Sequence, residues 1–214
     1  MTVDTLRVGP VALAWEVAPT DDEAAVHRAA ACLPASQARR AAGLSGARAA
    51  TFVTGRRLLV RLAADLEPGA ALEIDTGCTT CGEDHGRPRA VGAPLALSVA
   101  YAGPLVVAAA ARREEVGAVG VDVERESGAV DLSGLAPAGA SGLVGWTRIE
   151  AVLKADGRGI RLDPGEVRID PTAPGPLLRQ ATARLPGRDK GIEVATVTGP
   201  AAHLLSVAVI AARG

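Results

Sequence analysis

Six residues, Val119-Gly120-Val121-Asp122-Val123-Glu124, constrain the fold more than any other stretch of the chain. Valine recurs at every second position, and β-branched side chains suit a pleated, half-buried surface, so the alternation predicts a strand. A strand repeats every two residues, which sends Val119, Val121 and Val123 to one face and Asp122 with Glu124 to the other. Two carboxylates on one face can grip one ion, although any strand with a wet face could carry them. A second stretch, Trp146-Thr147-Arg148-Ile149-Glu150-Ala151-Val152-Leu153-Lys154, predicts a helix. It places Trp146, Ile149 and Leu153 along one apolar stripe, with Glu150 and Lys154 one turn apart beside it. On its own that spacing is an ordinary surface Glu–Lys pair, which contributes little. Beside Asp122 and Glu124, however, Glu150 is a third carboxylate. Three carboxylate oxygens on firm elements suit a hard ion such as magnesium, which fills its remaining positions with water and substrate phosphates. Lys154 then complements phosphate charge that the ion leaves uncompensated.

The rest of the chain is consistent with an enzyme of modest size. With 214 residues, 48% of them hydrophobic, and a net charge of -1, it can bury a core and has no bulk attraction to nucleic acid. No basic start precedes an apolar run, and no apolar run is long enough to cross a bilayer, which predicts a cytoplasmic protein with no membrane partner. Aromatic residues make up 2%, so Ala, Val and Leu must form the core and few platforms for stacked bases exist.

In chain order, Val11–Val17 predicts a strand, and Asp21-Asp22-Glu23 supplies the acidic first turn of a helix running to about Cys32. Ser36 to Leu66 predicts one or two helices with a break at Gly43 to Gly46. Arg48, Arg56, Arg57 and Arg61 on the second of these exceed what solubility requires, and arginine forks match phosphate oxygens. Cys78 and Cys81, with two residues between them, form with His85 and the distant Cys32 a conceivable zinc set. A pair of reduced thiols in a turn is the plainer account, since an odd cysteine count gives no disulfide framework. In Gly86-Arg87-Pro88 the glycine permits close backbone approach and the proline stiffens the turn. Leu95–Tyr101 and Leu105–Ala111 predict strands that pass through a polar turn at Arg112 to Glu115 into the valine strand, a small antiparallel meander. Glu166–Asp170, Gly191–Val197 and His203–Ala211 predict another small sheet. Leu204 to Val209 echoes Leu95 to Ala100.

The order Gly86-Arg87-Pro88, Leu97 to Gly103, Val119 to Glu124, then Trp146 to Lys154 resembles the 4'-phosphopantetheinyl transferases, more narrowly the single-chain surfactin-synthetase-activating type. The likeness runs from about Leu33 to the end. It implies an α+β fold of two pseudo-symmetric lobes, 1–111 and 112–214, each a small antiparallel sheet packed on a helix, with the site between them. It implies transfer of 4'-phosphopantetheine from coenzyme A to a serine of an acyl or peptidyl carrier protein by a monomer. Asp122, Glu124 and Glu150 would hold Mg2+, Glu150 would also take the serine proton, and Lys154 would touch the phosphates. Arg87, with Arg48 or Arg56, would hold the nucleotide phosphates.

The chain departs from the family in three places. Ala100-Tyr101 stands where relatives have Ser-His, whose histidine meets the 3'-phosphate, so Tyr101 offers a hydrogen bond and no charge. Ile149 replaces a lysine beside Glu150, and the Arg125 to Gly145 stretch is short and Gly/Ala-rich, which touches carrier docking. These departures keep open a catalytically weakened or inactive relative that binds coenzyme A or a carrier protein. A zinc-stabilised interaction module around Cys78 and Cys81 is a third possibility.

Overall fold

The valine strand is one edge of a second sheet stacked on a first, as a computed structural model describing residues 3–78, 81–84, 86–126 and 142–212 makes clear. The elements are β1 (Asp4–Val8), β2 (Val11–Val17), α1 (Glu23–Ala30), α2 (Ala35–Ala42), α3 (Gly46–Leu66), β3 (Glu73–Asp75), β4 (Arg89–Val91), β5 (Leu95–Ala102), β6 (Leu105–Arg112), β7 (Val116–Arg125), α4 (Gly142–Asp156), β8 (Arg168–Asp170), β9 (Ala181–Arg184), β10 (Ile192–Thr198) and β11 (His203–Ala211). The protein is α+β, with antiparallel sheets in the orders β1-β2-β6-β5 and β7-β11-β10-β9-β8 and a two-stranded β3-β4 ribbon.

β6 shows why the layers form. It is apolar at consecutive positions, and alternation shares those positions between two cores. Val106, Ala108 and Ala110 pack with Phe52, Leu58, Leu59 and Leu62 of α3. Val107, Ala109 and Ala111 meet Val119, Val121 and Val123 of β7 and Val207 of β11. A third core places Ile149, Val152 and Leu153 of α4 against Ala181, Ile192, Val194 and Ala208. The stacking order is therefore helices, first sheet, second sheet, α4. Trp146, expected on the stripe of Ile149 and Leu153, is half-buried and lies outside that third core.

The expected meander breaks at its third strand. β5 and β6 form the hairpin, from Leu95↔Arg112 to Ala102↔Leu105. β7 leaves it to pair with β11, from His203↔Arg125 to Ala211↔Val116. β6 already has β2 on one edge and β5 on the other, so β6 itself has no edge left for β7. Its valines instead cover the face of the first sheet. Glu166 is likewise in a 3-10 turn, Pro164–Glu166, where Asp163 accepts from the Gly165 N–H, and the strand begins at Arg168.

Gly120 sets how close α4 comes. A Cβ there would lie 2.0 Å from the Ala151 carbonyl oxygen and 2.5 Å from the Ala155 nitrogen, so the helix backbone rests on the strand backbone. Across the seam between the sheets, the Val121 N–H donates to Ser98 Oγ at 3.1 Å. Among the described residues no helix is long and apolar enough to cross a membrane.

Candidate functional site

Asp122 follows Gly120 by one strand period, so its side chain emerges beside α4, where it is 6% exposed. Lys154 Nζ donates to Asp122 Oδ1 at 2.6 Å, while Oδ2 is buried with no partner among the described residues. Burial pushes the Asp122 carboxyl up to about 6; Lys154 opposes this, and the charges of Glu150 and Glu124 push it further up. Both acids are thus close enough to be felt electrostatically, as their placement on β7 and α4 requires. Among the described residues, no three His, Cys, Asp or Glu side chains are gathered as a ready metal cage. Lys154, expected either to pair with Glu150 or to meet phosphate, is bonded to Asp122.

A buried polar pair that the sequence reading missed fixes α4 against the sheet. Thr147 Oγ1 lies 2.9 Å from Ser206 Oγ, which in turn is 3.0 Å from Thr196 Oγ1, and Arg148 Nε donates to that hydroxyl at 2.8 Å. Ser206 sits opposite Asp122 in the ladder, so this chain of bonds fixes the height at which Glu150 and Lys154 meet the acid strand. Thr147 lies inside the helix motif, but nothing in the sequence marks a hydroxyl that only the packed helix buries.

From Lys154 a cleft of about 1270 Å3 opens toward α3. Arg40, Arg48, Arg56, Arg87, Arg89, Arg158 and Arg161 line it, with Tyr101 and both Cys78 and Cys81. Arg56 is 4% exposed and stacks 4.6 Å from the Phe52 ring centroid. Its Nε donates to Gln37 Oε1 at 2.7 Å, it reaches the Tyr101 hydroxyl, and its Nη1 is buried with no partner among the described residues. Burial lowers the Arg56 pKa, and burial raises that of Tyr101 against the pull of Arg56. Arg48 is exposed at the rim.

Of the other two arginines marked on α3, Arg57 pairs with Glu16 at 2.7 Å and Arg61 approaches Asp65 at 3.9 Å. Carboxylates therefore account for Arg57 and Arg61, while Arg48 and Arg56 face the cleft.

Arg87 reaches across to the end of α4, with Nη1 3.5 Å from the Ala155 carbonyl oxygen and packed over Gly157. Its pKa is lowered by burial and by Arg113 and Arg89 nearby. Arg89, which also lines the cleft, is bonded to Asp75. Asp156, its side chain fully buried, is held by Arg158 and Arg188; burial raises its pKa, but the two guanidiniums hold it below the usual carboxylate range.

Cys32 is exposed, its thiol 3.7 Å from the Arg28 carbonyl oxygen one helical turn earlier. His85 and residues 127–141, which include most of the expected docking stretch, lie outside the described residues. No protein-family model matches the chain, and no curated protein matches it.

Proposed function

We propose that the protein is a 4'-phosphopantetheinyl transferase that moves 4'-phosphopantetheine from coenzyme A to a serine of an acyl or peptidyl carrier protein. The observation that carries this reading is Lys154, bonded to the buried Asp122, at one end of a cleft walled by arginines. A cleft with this excess of guanidinium suits a polyanion such as the nucleotide end of coenzyme A. Two stacked units, each an antiparallel sheet with a long helix on its outer face, fit the two pseudo-symmetric lobes of that family.

The donor chemistry of these residues suits magnesium, although the three carboxylates are not gathered into a cage. Asp122 Oδ2 has no donor among the described residues, and Glu124 and Glu150 are half-buried carboxylates near it, the hard oxygen donors that this ion prefers. Asp122, Glu124 and Glu150 would hold it, and when bound it would neutralise charge on the pyrophosphate.

The chain's own groups do the rest. Arg56 and Arg87, with Arg48 at the rim and Tyr101 as a hydrogen-bonding neighbour, orient the nucleotide phosphates. Lys154 turns from Asp122 to the phosphate oxygens. The serine oxygen forms a bond to the pantetheine-bearing phosphorus as the bond to adenosine 3',5'-bisphosphate breaks, and the serine proton passes to Glu150.

One observation favours the second reading, a weakened relative that binds coenzyme A or a carrier. Ile149 is fully buried in the core under α4, so no cation stands beside Glu150 at that position. Incubating an apo-carrier protein with coenzyme A, magnesium and the protein, followed by intact mass measurement, separates the two. The expected result is a mass gain of one phosphopantetheinyl group, lost in Asp122→Ala and Glu150→Ala. No gain with any of several carriers, despite coenzyme A binding, would leave only the binding protein. The proposal extends to a cytoplasmic monomer without nucleic-acid partners.

A further inference from the structure

Cys78 and Cys81 line the arginine cleft together, yet the proposed transfer makes no use of them. They lie between β3 and β4, in a segment closed at its neck, where the Gly86 N–H donates to the Thr76 carbonyl oxygen at 2.7 Å. Arg40 Nη1 donates to Thr76 Oγ1 at 3.0 Å and to Asp84 Oδ1 at 3.2 Å, which fastens both arms of the segment to α2.

Inside the neck, the Cys78 N–H donates to the Glu83 carbonyl oxygen at 2.7 Å, and the Gly82 N–H donates to the Cys78 carbonyl oxygen at 2.9 Å. A bond from residue 82 back to residue 78 spans one helical turn, in which Cα atoms three residues apart lie about 5 Å from each other. Disulfides bridge Cα separations of roughly 4.4–6.8 Å, so the backbone holds the two cysteines at bridging distance. Both are free thiols, Cys81 exposed and Cys78 half-buried. Cys32, the remaining cysteine, sits just past the end of α1 with its thiol against the Arg28 carbonyl oxygen.

We infer that Cys78 and Cys81 are a reversible oxidation site whose oxidant is an anionic low-molecular-weight disulfide of the glutathione type. Charge selects that oxidant: seven arginines and Lys154 line the cleft against one carboxylate, Asp156, and glutathione disulfide is net negative at neutral pH. The thiolate of Cys81, the more exposed of the two, attacks the disulfide, forming a mixed disulfide and expelling one glutathione thiolate. The Cys78 thiolate then attacks the Cys81 sulfur, which closes the protein bridge and expels the second. The two electrons given up by the cysteines reduce the oxidant to two thiols, which take up the two cysteine protons. This site is independent of the transfer proposed above.

Reduced protein is incubated with glutathione disulfide, its remaining thiols are blocked with iodoacetamide, and its peptides are mapped by mass spectrometry. The expected result is a bridge between Cys78 and Cys81 with no retained glutathione, Cys32 alkylated, and all three thiols recovered with dithiothreitol. Cys78→Ser should accumulate glutathione on Cys81, because the resolving thiol is gone. The rate is then compared with that of a neutral oxidant, 2-hydroxyethyl disulfide, each divided by its rate on a free peptide of sequence 76–86. The protein should favour glutathione disulfide by about tenfold at low salt and lose that preference at about 1 M salt or with saturating inorganic pyrophosphate. Both thiols staying alkylatable under conditions that oxidise the free peptide overturns the inference. So does a stable glutathione adduct in place of the bridge, a bridge to Cys32, or equal normalised rates for the two oxidants. Bridge formation in a protein that modifies no carrier leaves the oxidation site standing and removes the transferase.

Discussion

Asp122 is costly to keep charged in the folded protein. The folded carboxyl holds its proton up to about pH 6, well above where an unfolded aspartate releases it. Between those values the native state binds more protons than the unfolded one, so the contribution of this group to stability falls as pH rises through the window. A tenfold difference in proton affinity between the two states corresponds to about 1.4 kcal/mol, so the charged form costs on the order of 2–3 kcal/mol near neutrality in the absence of metal. In the presence of a chelator, Asp122→Asn should flatten that part of the pH–stability profile, and near neutral pH it should melt no lower than the parent protein. The same substitution should abolish carrier modification. A variant that melts several degrees lower at neutral pH would show that the ion pair with Lys154 outweighs the burial of the carboxylate. Arg56 supplies a second residue-scale test. Arg56→Lys keeps the charge but cannot hold Gln37 and Tyr101 with one planar fork. The KM for coenzyme A should rise by about tenfold with kcat little changed, because the loss is of binding shared by ground and transition states.

At the scale of elements, the position of α4 on β7 and β11 decides the site. Gly120 lets the two backbones touch, and the Thr147–Ser206 bond fixes the helix at that height. A methyl group at Gly120 would collide with backbone atoms that cannot rotate away. Gly120→Ala should therefore cost about 1–3 kcal/mol or more, as overpacking does, measurable by denaturant unfolding. It should also lower transfer more than that stability loss explains, because Glu150 and Lys154 move away from Asp122. Thr147→Val keeps the volume and removes the hydroxyl, leaving the Ser206 hydroxyl one partner short. Much at this scale was readable in the linear chain. β2 begins and ends where the Val11–Val17 alternation does, and the helical run divides into α2 and α3 at Gly43 to Gly46, where glycine weakens the helix. β1 and β9 went unread, since short stretches such as Asp4–Val8 and Ala181–Arg184 carry no clear period until a neighbouring strand pairs with them.

In the molecule as a whole, the two sheets are not separate units, because Val107 and Ala109 of the first share a core with Val121 and Val207 of the second. Separating them would expose that entire layer to water. Trp15 in the first sheet and Trp146 on α4 should accordingly report one coincident unfolding transition, and two transitions would show that the halves are autonomous. By itself the amino-acid order determined the strand bearing Asp122 and Glu124 on one face and the helix bearing Glu150 and Lys154. Each of these follows from a period of two or of 3.6 residues that neighbouring side chains express locally. Only the tertiary structure decided that β7 leaves its hairpin neighbours for β11, that Lys154 bonds Asp122, and that Arg56 is buried facing the cleft while Arg57 is neutralised by Glu16. Those outcomes depend on which edges are already paired and which charges meet across distant parts of the chain, and no local repeat encodes either.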